Sequence, residues 1–141
     1  MLRSRDASNT YDRERLILDA SIPYIEFRIP PDPAYVRIAR LAAGDMGGRV
    51  GFSIDELDDV RLAVDEMCAV LIGARGAVIE IRMQARDRTL LVEGRVPDAR
   101  AEIAPSELSE MLLGALVDSC EFSVRGGDVC VEMQKLAREI A

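Results

Sequence analysis

Apolar residues recur along this chain with two different periods, and the changes from one to the other mark out eight elements. From Ser21 to Pro30 the pattern alternates. Ile25, Phe27 and Ile29 fall on one side, Glu26 and Arg28 on the other, and Pro23 and Pro30 sit at the ends, as in a half-buried or edge strand. Asp32-Pro33 then has the form of a helix start, with the aspartate as N-cap and proline at the first position. This helix is expected to run to about Met46 and stop at Gly47-Gly48, with Tyr35, Ile38, Leu41 and Ala42 as its apolar stripe. Ser53 and Glu56 have capping-box spacing, bracketed by Phe52 and Leu57 at staple positions. Leu57, Val60, Val64, Met67 and Leu71 continue that helix to Gly73.

Strands are expected over Ala77–Ala85 and Thr89–Val96, joined at Asp87-Arg88. Ile79, Ile81 and Met83 share one face of the first, and Leu90 and Val92 one face of the second. After a loop from Pro97 to Pro105, Ser106–Asp118 reads as a helix bearing Leu108, Met111, Leu112 and Leu116. Two last strands, Cys120–Arg125 and Val129–Met133, flank the hairpin signal Gly126-Gly127-Asp128. Helices separated by paired strands predict an α+β fold. It is a two-layer α/β sandwich: a mixed, mostly antiparallel sheet with about three helices on one face. Residues 1–20 lack periodicity and read as a polar tail, leaving 21–141 as one domain.

Composition narrows the function classes. The 141 residues are 49% hydrophobic and 30% charged, which is ordinary for a globular domain. The net charge is -7, so direct nucleic-acid binding is not expected and a basic protein partner is. Of 18 basic residues 17 are Arg, Lys135 being the exception. No apolar run approaches membrane-spanning length and the N-terminus has no signal-peptide core, so a cytoplasmic protein is expected. Three scattered cysteines and no histidine argue against a disulfide framework and a zinc site, leaving buried thiols.

The chemistry concentrates on the helix from Ser53 to Gly73. Its second face carries Leu62, Glu66, Ala69, Val70 and Gly73 at spacings of three and four. Glu66 is the one acid there. A carboxylate among apolar neighbours suits proton acceptance, and a solvated or Arg-paired glutamate at the helix edge is the plain alternative.

The run from Asp55 to Ala74, DELDDVRLAVDEMCAVLIGA, resembles the long helix of the anti-sigma serine kinases, a branch of the histidine-kinase-like ATPase superfamily. Asp59, Ala63, Val64 and Glu66 carry the match. Leu116, Val117, Asp118, Glu121 and Phe122 resemble the end of that family, and the likeness extends over about Ile22 to Arg138, with particular similarity to actinobacterial members. The resemblance implies a Bergerat-like ATPase fold and a homodimer formed through the first strand, beside Ile25, Phe27 and Ile29. It also implies a sigma factor as partner, release by an anti-anti-sigma (STAS-type) protein, and partner contacts from Arg37 and Arg40.

In such enzymes the helix glutamate activates a partner's Ser or Thr hydroxyl, and an asparagine one turn later holds Mg²⁺ on ATP. Glu66 keeps the first role, but Val70 stands at the second and has no donor atom. The family's adenine-binding aspartate falls at Val96, with Asp98 nearby, and Glu107-Leu108-Ser109-Glu110 replaces a phosphate-wrapping glycine motif. The departures imply an anti-sigma factor with ATP binding lost or weak, for which no cofactor is expected. The alternative is an active serine protein kinase using Glu66 as catalytic base and Mg-ATP, with Asp65 or Asp98 as substitute metal ligand. A scaffold or sensor domain is a third reading.

Overall fold

The computed structural model describes residues 18–101 and 105–138. In chain order the elements are β1 (Ile25–Ile29), a single 3-10 turn (Pro33–Tyr35), α1 (Val36–Val50), α2 (Ile54–Gly73), β2 (Ile79–Arg86), β3 (Thr89–Val96), α3 (Glu107–Leu116), β4 (Ser119–Arg125) and β5 (Asp128–Leu136). The strands form one sheet in the order β1-β2-β3-β5-β4, and every neighbouring pair is antiparallel. The α+β architecture expected from the sequence is therefore the one observed. The chain leaves β3 through α3 and enters β4 at the far edge, so β5 returns into the sheet between them.

Pairing register decides which side of the sheet the helices cover. Phe27, Ile81 and Gly94 align across β1, β2 and β3, and Gly94 aligns with Val131 and through it with Phe122. A Cβ on Gly94 would meet Leu71 Cδ1 and the Met67 thioether, so α2 lies directly on this row. Met67, Leu71, Ile79, Ile81, Met83, Leu90 and Met133 are all below 2% exposed there. Burying each such side chain contributes about 1.5–3 kcal/mol before chain entropy is subtracted.

The opposite face is charged. Arg95 bonds Glu80 at 2.7 Å and Asp128 at 3.3 Å, and Arg82 lies 3.2 Å from Glu26 and 3.7 Å from Glu93.

The capping box forms as the spacing predicts. Ser53 Oγ accepts from Glu56 N at 3.2 Å, and Ser53 N donates to Glu56 Oε1 at 2.8 Å. The second carboxylate oxygen does more than the motif requires, accepting from Arg138 N at 2.9 Å and tying the end of the chain to the start of α2. Burial acts to raise the Glu56 carboxyl, but these hydrogen bonds and nearby Lys135 outweigh it and hold the group below the usual glutamate range.

Four expectations need correction. Asp32 does cap, accepting from Ala34 N at 2.9 Å, but it caps the 3-10 turn, and α1 begins at Val36. Helix α1 does not stop at Gly47-Gly48; it runs to Val50 and ends at Gly51, whose φ of 87° is the left-handed conformation of a C-cap glycine. Nor does it bury the large residues of that stripe. Tyr35, Ile38 and Leu41 are 43–59% exposed, while Ala39, Ala43, Gly44 and Gly47 face inward. The cause is close approach: a Cβ on Gly47 would stand 2.7 Å from Phe52 and 2.8 Å from Leu57, so the packed face requires small residues.

The fourth correction concerns α3, which ends at Leu116 and leaves Leu108, Met111 and Leu112 exposed, with Leu113 its one buried residue. Of the expected tail, residues 1–17 lie outside the described residues. Leu18 is 4% exposed against Leu91, and Gln84 Nε2 donates to the carbonyls of Asp19 and Ile22, so 18–22 are fastened to the charged side of the sheet.

Candidate functional site

The candidate site lies where α2 meets α3, and the two faces of α2 differ. Val60, Val64, Met67 and Leu71 enter the core, which turns Leu62, Glu66, Ala69, Val70 and Gly73 outward or toward α3. Helix α3 lies alongside. Ser106 is its N-cap and accepts from Ser109 N at 3.0 Å, which fixes the first turn. That turn aims Ser109 at α2, where its Oγ donates to Glu66 Oε2 at 2.5 Å. At the other end of α3, Lys135 Nζ donates to Leu116 O at 2.7 Å and lies 3.8 Å from Asp59 Oδ2. Ser109 beside Glu66 and Leu116 near Asp59 make the two helices antiparallel.

Glu66 is half-buried and accepts a serine hydroxyl, so it is not a freely solvated edge residue. This is a short side-chain hydrogen bond that ties the two helices together. One turn on, Val70 is half-buried and presents only carbon. Asp65 points to the α1 side, where Arg40 Nη1 meets both carboxylate oxygens at 2.9 and 3.0 Å. Arg40 is thus engaged within the fold, while Arg37 is exposed one turn earlier on α1.

The two positions considered for adenine lie apart from Glu66. Val96 is 0% exposed and its Cγ1 stands against Gly76, closer than any Cβ there would allow, so it is a packed core residue. Asp98 is exposed with φ 50°, and its N–H donates to Asp128 Oδ1 at 3.0 Å. Arg100 N bonds Ala74 O, which puts this segment across the end of α2, two turns beyond Glu66, or about 12 Å. Glu107 and Glu110 are exposed on the first turn of α3.

The sequence reading missed Ser109 as a site residue. The Ser106/Ser109 spacing signals a helix start, but nothing local reveals a partner 43 residues away. It also missed the Arg40–Asp65 pair that joins α1 to α2.

Burial pushes the Cys68 thiol up to about 12, and those of Cys120 and Cys130 to about 11, so the three are protonated, unpaired thiols at neutral pH. Among the described residues no helix is long and apolar enough to cross a membrane.

Comparison with known proteins agrees with this layout. The model of the histidine kinase-like ATPase domain matches residues 29–135. Serine-protein kinase RsbW of Bacillus velezensis is 39% identical over 51 residues, 36% of this chain and 32% of that protein. RsbW of Bacillus subtilis is 42% identical over 45 residues, 32% of this chain and 28% of that protein. The matched stretch thus spans about a third or less of these relatives. A crystal structure of the RsbU and RsbW domains of a Mycobacterium tuberculosis protein superposes with TM-score 0.62 at 12% identity, covering 84% of this chain and 34% of that one. At that identity the likeness is one of fold.

Proposed function

Since the chain belongs to the histidine kinase-like ATPase family and is related to the RsbW serine-protein kinases, we propose that it is a partner-switching regulator: it holds a sigma factor and is released by an anti-anti-sigma protein of STAS type. The observation that carries this reading is Glu66, set half-buried between α2 and α3 with a serine hydroxyl already on its carboxylate. A partner's Ser or Thr would reach this carboxylate by displacing Ser109. The overall charge of -7 suits a basic partner. Arg37 lies exposed on α1 for partner contact, and β1 is a sheet edge at which a second copy can pair.

Two chemistries at Glu66 are consistent with that role. In the first, Glu66 contributes to binding alone. The donor set supports it, because the residues do not fit Mg-ATP as arranged: Val70 has no ligand atom, Asp65 is held by Arg40, Asp98 lies at the far end of α2, and Val96 is packed. Among the described residues no group of three or more His, Cys, Asp or Glu side chains could hold a metal ion. In the second, the chain phosphorylates an anti-anti-sigma serine. The name of its relatives, serine-protein kinase, favours this reading over sequestration alone.

Tagging the chain in its native host and purifying it with and without added ATP tests the role. A co-purifying sigma factor is the expected result, and its displacement by ATP would move the mechanism to the second chemistry. Purification without any sigma factor under either condition would end the proposal.

A further inference from the structure

Helix α3 is strongly apolar yet hardly buried. Of its ten residues Leu113 alone is covered, while Leu108, Met111 and Leu112 are 65%, 70% and 41% exposed. A helix with this composition on a monomer surface marks a contact site when the apolar residues are contiguous. Here they are on α3 itself, where Leu108, Met111 and Leu112 stand at i, i+3 and i+4, and on α2 Leu62, 55% exposed, lies one turn before Glu66, the residue that Ser109 meets. The result is an open apolar seam along the outer side of α3, with Leu62 as a further exposed apolar residue on α2.

Its rim is acidic. Between Arg100 and Arg125 the sequence contains no basic residue. Exposed Glu107 and Glu110 lie on the first turn of α3, and exposed Asp58 and half-buried Glu66 stand one turn before and after Leu62 on α2. The one basic residue of α2, Arg61, is drawn to Asp58 at 3.4 Å. This combination selects among occupants. A second copy of the same seam would set carboxylate against carboxylate, and an anionic membrane surface would be repelled by the same rim.

We propose that the exposed apolar side of α3, with Leu62 of α2 beside it, docks a basic amphipathic helix of another protein, its apolar stripe on Leu108, Met111 and Leu112 and its Lys or Arg residues on the flanking carboxylates. Stripe residues at i, i+3 and i+4 on the incoming helix match the spacing of Leu108, Met111 and Leu112 on α3. The surface is shared with the Glu66 site, but the inference does not depend on nucleotide chemistry there.

The test uses the full chain without nucleotide and a fluorescently labelled helical peptide of Leu and Lys, about 18 residues long so that it spans α3 with a turn or more to spare at each end. Binding that weakens with salt is expected, with the scrambled peptide and a Leu/Glu version at least tenfold weaker. Leu108→Gln with Met111→Gln should lower affinity at least tenfold while leaving the thermal midpoint unchanged. Glu107→Gln with Glu110→Gln should flatten the salt dependence. If the first pair does alter the midpoint, Leu62→Gln replaces it and should show the same loss. Equal affinity for the scrambled peptide, or undiminished binding by the apolar variants, overturns the proposal. So does self-association through this face, or sedimentation with phosphatidylglycerol vesicles in place of peptide binding. A Mg-ATP titration bears on the Glu66 chemistry and not on this assay, so failure of either is separately visible.

Discussion

Ser109 Oγ and Glu66 Oε2 are 2.5 Å apart, joining the first turn of α3 to α2 across 43 residues of sequence. This contact organises the site, because α3 has little other burial to hold its N-terminal end. Ser109→Ala should therefore free the start of α3. The expected loss of stability is about 1 kcal/mol, since the bond is charge-assisted but partly exposed. Hydrogen exchange should quicken at the first amides of α3 and leave α2 protected. Unchanged exchange there would show that the contact does not hold the helix.

The cap of α2 makes a pH-dependent prediction. Glu56 is held below the usual glutamate range in the folded chain. Its contribution is complete above the ordinary glutamate pKa of the unfolded chain and is lost as pH falls through the lower folded value. Glu56→Ala should cost about 1–2 kcal/mol at neutral pH, and the difference from the parent should shrink on acidification. Urea midpoints for both proteins from pH 7 down to 3 check this.

Val96 and Gly76 test whether the adenine position is filled. Val96→Asp should lower stability by more than about 3 kcal/mol, because the carboxylate would enter a packed interior with no partner. Gly76→Ala should cost about 1–3 kcal/mol, since its Cβ would collide with the stiff side chain of Val96. Chemical denaturation measures both. Near-parental stability in Val96→Asp would mean that this position opens to solvent or to a ligand.

The thiols offer a check on the core. With values of about 12 for Cys68 and about 11 for Cys120 and Cys130, labelling by a maleimide at pH 7 should be slow and should accelerate on unfolding. Rapid labelling of Cys68 in the folded chain would contradict its position on the buried face of α2.

What the sequence discloses depends on how far apart the interacting residues are. Ser53 and Glu56 announce a helix start because both halves of the motif lie within one turn, and Gly126-Gly127 announces a hairpin because its φ values of 61° and 94° favour glycine. Strand faces follow from alternation, since Ile79, Ile81 and Met83 need only local periodicity. Helix α1 was misread for a physical reason. Its inner face is built from Ala39, Ala43, Gly44 and Gly47, so hydrophobic size points to the wrong side. In α3 the large residues Leu108, Met111 and Leu112 form an outer surface, which apolar spacing alone cannot tell from a core face. The candidate site was half legible: the family resemblance points to Glu66 and Val70, whereas Ser109 and the Arg40–Asp65 pair exist only once the helices are packed.

Whether this site accepts nucleotide is decided by calorimetric titration of the full chain with Mg-ATP, paired with a phosphoryl-transfer assay on an anti-anti-sigma substrate. With Val70 in place of a ligand and Val96 packed, no binding is expected at micromolar nucleotide, and Val70→Asn alone should not create it. Micromolar binding with transfer to serine, abolished by Glu66→Gln, would contradict the binding-only account and establish the chain as a working kinase.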